Sequence, residues 1–254
     1  MRRMRIALAA AICLVCMLAI GGTAGATPTW TFGDVTCHGG TIAPGTYHSL
    51  TVAGFCTLTS HGTVRVSENL TVAPKGVFDA VTPGTLKVGD NVIVGDDAIA
   101  GVGCSPAIGC NVTTADTIGG NLRSSGASAV IVHSAAIGGY VNVFGGGGSM
   151  DCGSTALFGG PYYDDFEDNT VHGWVSVRHV HSCWFGFIRN HVGSNVTIAG
   201  LRMSDPDANE IVTNTIGGNL ACYDDVPKPH VGDSMGSPNV VGGSKLGECR
   251  RPGL

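Results

Sequence analysis

The chain has 254 residues, 40 of them Gly, and 14 Lys and Arg against 19 Asp and Glu, for a formal net charge of −5. Beyond the first five residues the only adjacent basic pair is Arg250-Arg251, which excludes a phosphate-tracking surface and with it a nucleic-acid partner. So many glycines also exclude a helical architecture, because each Gly costs ~1 kcal/mol inside a helix.

Residues 1–26 open with MRRMR, continue as the apolar run IALAAAICLVCMLAI and close on GGTAGA. A basic start, an apolar centre and a small-residue end predict a secretory signal peptide cleaved after Ala26. The apolar run is shorter than the ~20 residues of a bilayer span, so no membrane span is expected after cleavage. The remaining chain, 27–254, carries 11 basic against 19 acidic side chains and eight of the ten cysteines. It reads as one exported domain.

From residue 50 the apolar residues alternate: Leu50-Thr-Val52, Val64-Arg-Val66, Leu70-Thr-Val72, Leu86-Lys-Val88 and Val92-Ile-Val94. Alternation with Gly, Asn, Asp and Pro between the segments predicts short β-strands with one face inward. A second pattern lies over the first. TIGGNL occurs at Thr117–Leu122 and again at Thr215–Leu220, and looser versions start at Val66, Val88, Ile137, Val171, Val192 and Val241, the last closing on Leu246. Successive starts are 22, 30, 19, 34, 21, 24 and 25 residues apart. Three short strands per repeat of roughly 20 residues predict a three-sided parallel β-helix, an all-β solenoid whose rungs bury a shared core only when stacked. Asn69, Asn91, Asn121, Asn195 and Asn219 recur at one corner. They are expected as tolerant turn residues in preference to a side-chain ladder.

One region departs from the pattern. Between Ile137 and Val171 the spacing is longest, which predicts an insertion at about 145–170. The acids Asp164, Asp165, Glu167 and Asp168 fall in it, and Tyr162, Tyr163, Trp174 and Trp184 lie in or beside it. Rings that stack on sugars and acids that bond their hydroxyls point to a glycan-binding face at Tyr162, Tyr163, Trp174 and Trp184. The alternative is an enzyme acting on a polysaccharide, with Asp164, Asp165, Arg178 and Arg189 as its charged groups. His179-Val-His181 sets two imidazoles two apart, a spacing used for Zn²⁺ or copper on a strand, with His172, His191 or an acid from the insertion as a third ligand. Acidic turns at Asp96-Asp97 and Asp205-Pro-Asp207 raise Ca²⁺ in the same way. Both metals are secondary to an expectation of no cofactor. Gly145–Gly148 is followed by no GK[ST] and is not a phosphate loop.

The last forty residues carry Ile216-GGNLAC-Cys222, prolines at 227 and 229, and Asn239-VVGGSKLGEC-Cys249. This arrangement resembles a group of uncharacterised secreted bacterial proteins of right-handed parallel β-helix type. The resemblance implies export and the fold; it implies no activity. The cysteines suit such rungs. Strands one rung apart lie ~4.8 Å apart, so Cys37 with Cys56, Cys152 with Cys183 and Cys222 with Cys249 are each about one rung distant, and Cys104 with Cys110 closes a short loop. Eight cysteines allow 105 pairings, of which this sequential one is the geometric expectation. Together these readings predict a secreted or cell-wall-associated, disulfide-stapled scaffold, structural or binding an envelope glycan or a second copy of itself, with the polysaccharide enzyme as its rival.

Overall fold

In the computed structural model, which describes residues 31–157, 160–232 and 236–250, the alternating segments become thirty short strands, almost all gathered into three long sheets. Sheet A has ten strands from Thr31–Phe32 to Val240–Val241. Sheet B has ten from Val35–Cys37 to Lys245–Gly247. Sheet C has eight, from Gly40–Ile42 to Glu210–Val212. Every pairing within them is parallel, and strands pair with those one circuit away, so the chain winds A, B, C and repeats. This is a three-sided parallel β-helix. The predicted signal segment lies outside the described residues, and among those described no helix is long and apolar enough to cross a membrane.

Register explains the sequence repeat. Val66, Val88, Ile118, Ile137, Val171, Val192, Ile216 and Val241 stand in one column of sheet A. Four residues on, Leu70, Val92, Leu122, Val141, Val175, Val196 and Leu220 form the first inward column of sheet B. Nearly all are fully buried, each worth ~1.5–3 kcal/mol relative to exposure. The last rung corrects one expectation: Lys245, not Leu246, pairs with Leu220, because the four-residue step from sheet A to sheet B is kept even where the sequence no longer supplies an apolar residue. Sheet C fills the third side with Phe78, Phe166, Phe185 and Phe187, whose neighbouring rings sit 6.5 Å apart.

The corner asparagines are a ladder, contrary to the turn reading. Asn91 Nδ2 donates to Asn69 Oδ1 at 2.9 Å, and Asn121 Nδ2 to Asn91 Oδ1 at 2.9 Å. The backbone N–H of Asn91, Asn121 and Tyr140 each donate to the Oδ1 one rung earlier. Rungs meet nearly identical surroundings, so one carboxamide satisfies the N–H of the next in turn. A second column, unforeseen in sequence, lies at the corner from sheet C to sheet A. Asn169, Asn190, Asn214 and Asn239 are all buried. Each Nδ2 donates to a carbonyl one strand behind (Val132, Phe166, Phe187 and Ile211), and each of the first three also donates to the next Oδ1.

All four expected disulfides form: Cys37–Cys56, Cys104–Cys110, Cys152–Cys183 and Cys222–Cys249. Four disulfides in one chain suit an oxidising, extracytoplasmic compartment.

Candidate functional site

The outer faces of the three sheets differ. On sheet C every residue of the strand Ala129–His133 is buried, so both of its faces are covered. The cover is two loops. Residues 103–114 carry the Cys104–Cys110 bridge. The insertion leaves sheet B through Gly145–Gly148, four consecutive residues with positive φ, a conformation open to Gly alone at such length. Gly148 also lies flat on the Tyr162 ring, where a Cβ would come within 2.5 Å of ring carbons. Leu157 from the insertion packs on Ile99, Ala129 and Ile131, with Tyr162 and Tyr163 alongside.

The insertion ends before the expected residue 170. The solenoid resumes at Tyr163, since the strand Tyr163–Glu167 pairs with Ile131–His133 on one side and Trp184–Ile188 on the other. Asp164, Asp165 and Glu167, which the sequence placed in the insertion, are therefore strand residues with alternating directions. Asp164 shares its column with Val130 and Phe185 and faces the solenoid interior. Its Oδ1 accepts the Val130 N–H at 2.9 Å, and burial raises its carboxyl to about 7. Asp165 faces outward beneath the loops. Arg178 ends a strand of sheet B and is exposed. Arg189 sits at the corner after sheet C, its guanidinium pairing with Asp168 at 2.7 and 2.9 Å and with Glu167. Asp164, Asp165, Arg178 and Arg189 thus do not converge on one cleft: two adjacent strand residues take opposite faces, and one arginine belongs to another sheet.

What does converge beneath the loops is a chain of polar groups. Ser105 Oγ lies 3.4 Å from His133 Nδ1, and His133 Nε2 lies 3.0 Å from Asp165 Oδ2. Glu167 stands beside His133 in register. Burial lifts the Asp165 carboxyl to about 6, opposed by its bond to His133. Ser, His and Asp in a row resemble a nucleophile, base and orienting acid. Ser105 is 3% exposed and His133 1%, so a substrate carbonyl has no approach to the hydroxyl. Comparison with family models, curated proteins and solved structures returns no match.

The predicted aromatics divide. Tyr162 and Tyr163 lie in the apolar seat under the insertion, and Tyr163 meets Trp184, which packs against the main core, edge to face with 6.2 Å between centroids. Trp174 lies elsewhere, at the corner from sheet A to sheet B. There Tyr140 and Trp174 occupy two consecutive positions of the exposed asparagine ladder, between Asn121 and Asn195. Their rings stack 4.3 Å apart, 6° from parallel, and the Arg123 guanidinium caps Tyr140 at 5.5 Å. Trp174 is 39% exposed. Two residues before it, His172 lines a shallow depression of about 370 Å³ on sheet A, with Thr170, His191, Gly193, Thr215 and Gly217.

The two histidines of His179-Val-His181 do not share a strand. Arg178 ends one strand, His181 begins the next, and His179 between them has φ +57°. It stands in a column of left-handed corner residues with Gly200 and Asp224, and its ring packs edge-on against Phe144. The turn breaks the alternation on which the pairing rested. Among the described residues the group that brings histidine and carboxylates together is His133, Asp165 and Glu167. Sequence reasoning missed Ser105, His133 and Tyr140. Only Tyr140 carried a signal, standing where the repeat puts Asn.

Proposed function

We propose that the chain is an exported, non-catalytic β-solenoid that binds a glycan at the corner formed by Tyr140 and Trp174, with the sheet A depression beside it. One observation carries this reading. A corner that uses Asn on the rungs to either side to satisfy backbone N–H groups gives up that service for two rungs and holds out a flat, half-solvated pair of rings instead. Aromatic faces supply large contact area at low entropic cost. His172, His191, Thr170 and Thr215 supply hydroxyl-directed partners in the adjoining depression. A place outside the cell or on its wall is supported by the leader-like first 26 residues, the four disulfides and the resemblance to secreted bacterial β-helix proteins.

The polysaccharide enzyme is less well supported, because its charged groups are dispersed between interior, sheet B and a loop-covered face. The test is calorimetry and tryptophan fluorescence of the mature chain with a neutral β-glucan, chitooligosaccharides and a polyuronate. Saturable binding to one of them, abolished by Trp174→Ala, is expected. Binding to none, or binding that survives Trp174→Ala, leaves the protein as scaffold. Release of reducing ends or unsaturated uronate restores the enzyme reading.

A further inference from the structure

We infer that His133, Asp165 and Glu167 form a site for one first-row divalent metal ion, for which Zn²⁺ is the best-fitting occupant. The three side chains stand on the outer face of two paired strands of sheet C, Ala129–His133 and Tyr163–Glu167. One ligand atom from each lies within 4.8 Å of the others. They are 1%, 5% and 8% exposed, so an ion there is largely stripped of water.

A second observation points the same way. Asp165 Oδ1 is buried without a hydrogen-bond partner, a state that costs ~1–3 kcal/mol, more for a charge. Gly186 leaves room beside it, since a Cβ there would lie 2.5 Å from that oxygen and 2.4 Å from the Trp184 ring that walls it. Glu167 is shared with Arg189, which keeps its own two-bonded hold on Asp168. A cation can therefore take Glu167 while Arg189 stays paired. One imidazole and two carboxylates, with a water as fourth ligand, suit tetrahedral Zn²⁺. Ca²⁺ needs six to eight oxygens, more than this enclosure offers. Ser105 completes the arrangement as a positioning residue. With Nδ1–H donated to its Oγ, His133 turns the Nε2 lone pair toward the acids, the outer-shell contact that metal-bound histidines regularly make. The competing reading is an ion pair of His133 with Asp165 that merely docks the loop.

The experiment uses the mature, disulfide-intact chain, stripped with EDTA and titrated with Zn²⁺ by calorimetry, with bound metal counted after dialysis and Co²⁺ substituted for visible spectroscopy. One equivalent per chain is expected, with a Co²⁺ spectrum of low-symmetry, four-coordinate type. Asp165→Asn should weaken binding by more than the ~100-fold that outer-shell changes reach, and Ser105→Ala by ~10-fold. Arg189→Asn, at an exposed position whose φ of +56° Asn tolerates, should tighten it by removing the competing cation. The pair His179→Ala with His181→Ala should leave the single equivalent in place. If Asp165→Asn does not fold, Arg189→Asn and Ser105→Ala decide. No stoichiometric uptake by the wild type, its loss with His179 and His181, or affinity indifferent to Arg189 and Ser105 overturns the site.

Discussion

The two asparagine columns do the same job in different solvents. At the corner from sheet C to sheet A, Asn169, Asn190, Asn214 and Asn239 are sealed inside. At the corner from sheet A to sheet B, Asn69, Asn91 and Asn121 are half in water and Asn195 and Asn219 are exposed. Even their directions differ. In the buried column each N–H donates to the Oδ1 of the following rung; in the exposed one it donates to the Oδ1 of the preceding rung. The buried column runs without a gap from Asn169 to Asn239, where no water can reach to replace a missing partner. The exposed column is broken by Tyr140 and Trp174. Positions that water can service are free to be spent on something else, and that is where this molecule puts its rings.

Matched substitutions give the largest contrast. Asn190→Ala removes the acceptor of Asn169 N–H and Nδ2 and the donor to the Phe166 carbonyl. Three buried groups each lose a partner, Asn169 Nδ2 keeping only its bond to the Val132 carbonyl, and a loss on the order of 4 kcal/mol in chemical denaturation is expected. Asn91→Ala removes the acceptor of Asn121 N–H and Nδ2, where solvent substitutes, and a loss of about 1 kcal/mol is expected. Equal losses at the two sites would mean that solvent access does not distinguish the corners.

The buried column continues backward in register to Ala135 and then Asp116. Asp116 is 1% exposed and accepts the Leu86 N–H at 2.8 Å and the Thr114 hydroxyl at 3.3 Å. Burial raises its carboxyl to about 6 against an ordinary 3.8, with these bonds opposing. The folded chain therefore holds this proton after the unfolded chain has released it. Stability contributed by the protonated form is complete below about pH 4 and is lost as pH rises toward 6. At about 1.4 kcal/mol per pH unit, the loss is on the order of 3 kcal/mol. Asp116→Asn keeps an acceptor for Leu86 and carries no charge, so subtracting its denaturation curves at pH 4, 5, 6 and 7 from those of the wild type should isolate that slope. A difference flat across this window would show that Asp116 titrates normally.

The architecture was legible because a solenoid repeats its physics. Val66 to Val241 recur where each rung needs an inward branched side chain, and three cysteine spacings matched the rung closely enough to pair, while Cys104 and Cys110 closed a short loop. The buried asparagines were equally periodic, each two residues before a column residue: Asn169 before Val171, Asn190 before Val192, Asn214 before Ile216. They were overlooked because a polar residue beside a turn reads as turn chemistry until register shows it to be interior. The candidate sites were less legible. Asp164 and Asp165 look equivalent as neighbours in an acidic run, and only pairing with Val130 and Ile131 sends them to opposite faces. His133 directly follows the apolar stretch Ala129–Val132 and stands in no motif. Its partners Ser105 and Asp165 lie 28 and 32 residues away, a separation that composition cannot bridge.

The smallest expected effect on stability bears most on function. Replacing Tyr140 and Trp174 together by Asn should restore the exposed ladder, offering an Oδ1 to the N–H of residue 174 and another to that of Asn195. The exchange gives up a ring stack worth ~0.5–1.5 kcal/mol beyond its buried area and gains two partly solvated hydrogen bonds of about 1 kcal/mol each. Asn121 already serves residue 140 and continues to do so. The double variant should therefore unfold within about 1 kcal/mol of the wild type while losing glycan binding altogether. A structural role for the rings predicts the reverse: a stability loss well beyond the stacking energy, with whatever binding the wild type has unchanged. Denaturation and calorimetry on the one variant separate the two, because a corner kept for packing fails in the first measurement and a corner kept for a ligand fails in the second.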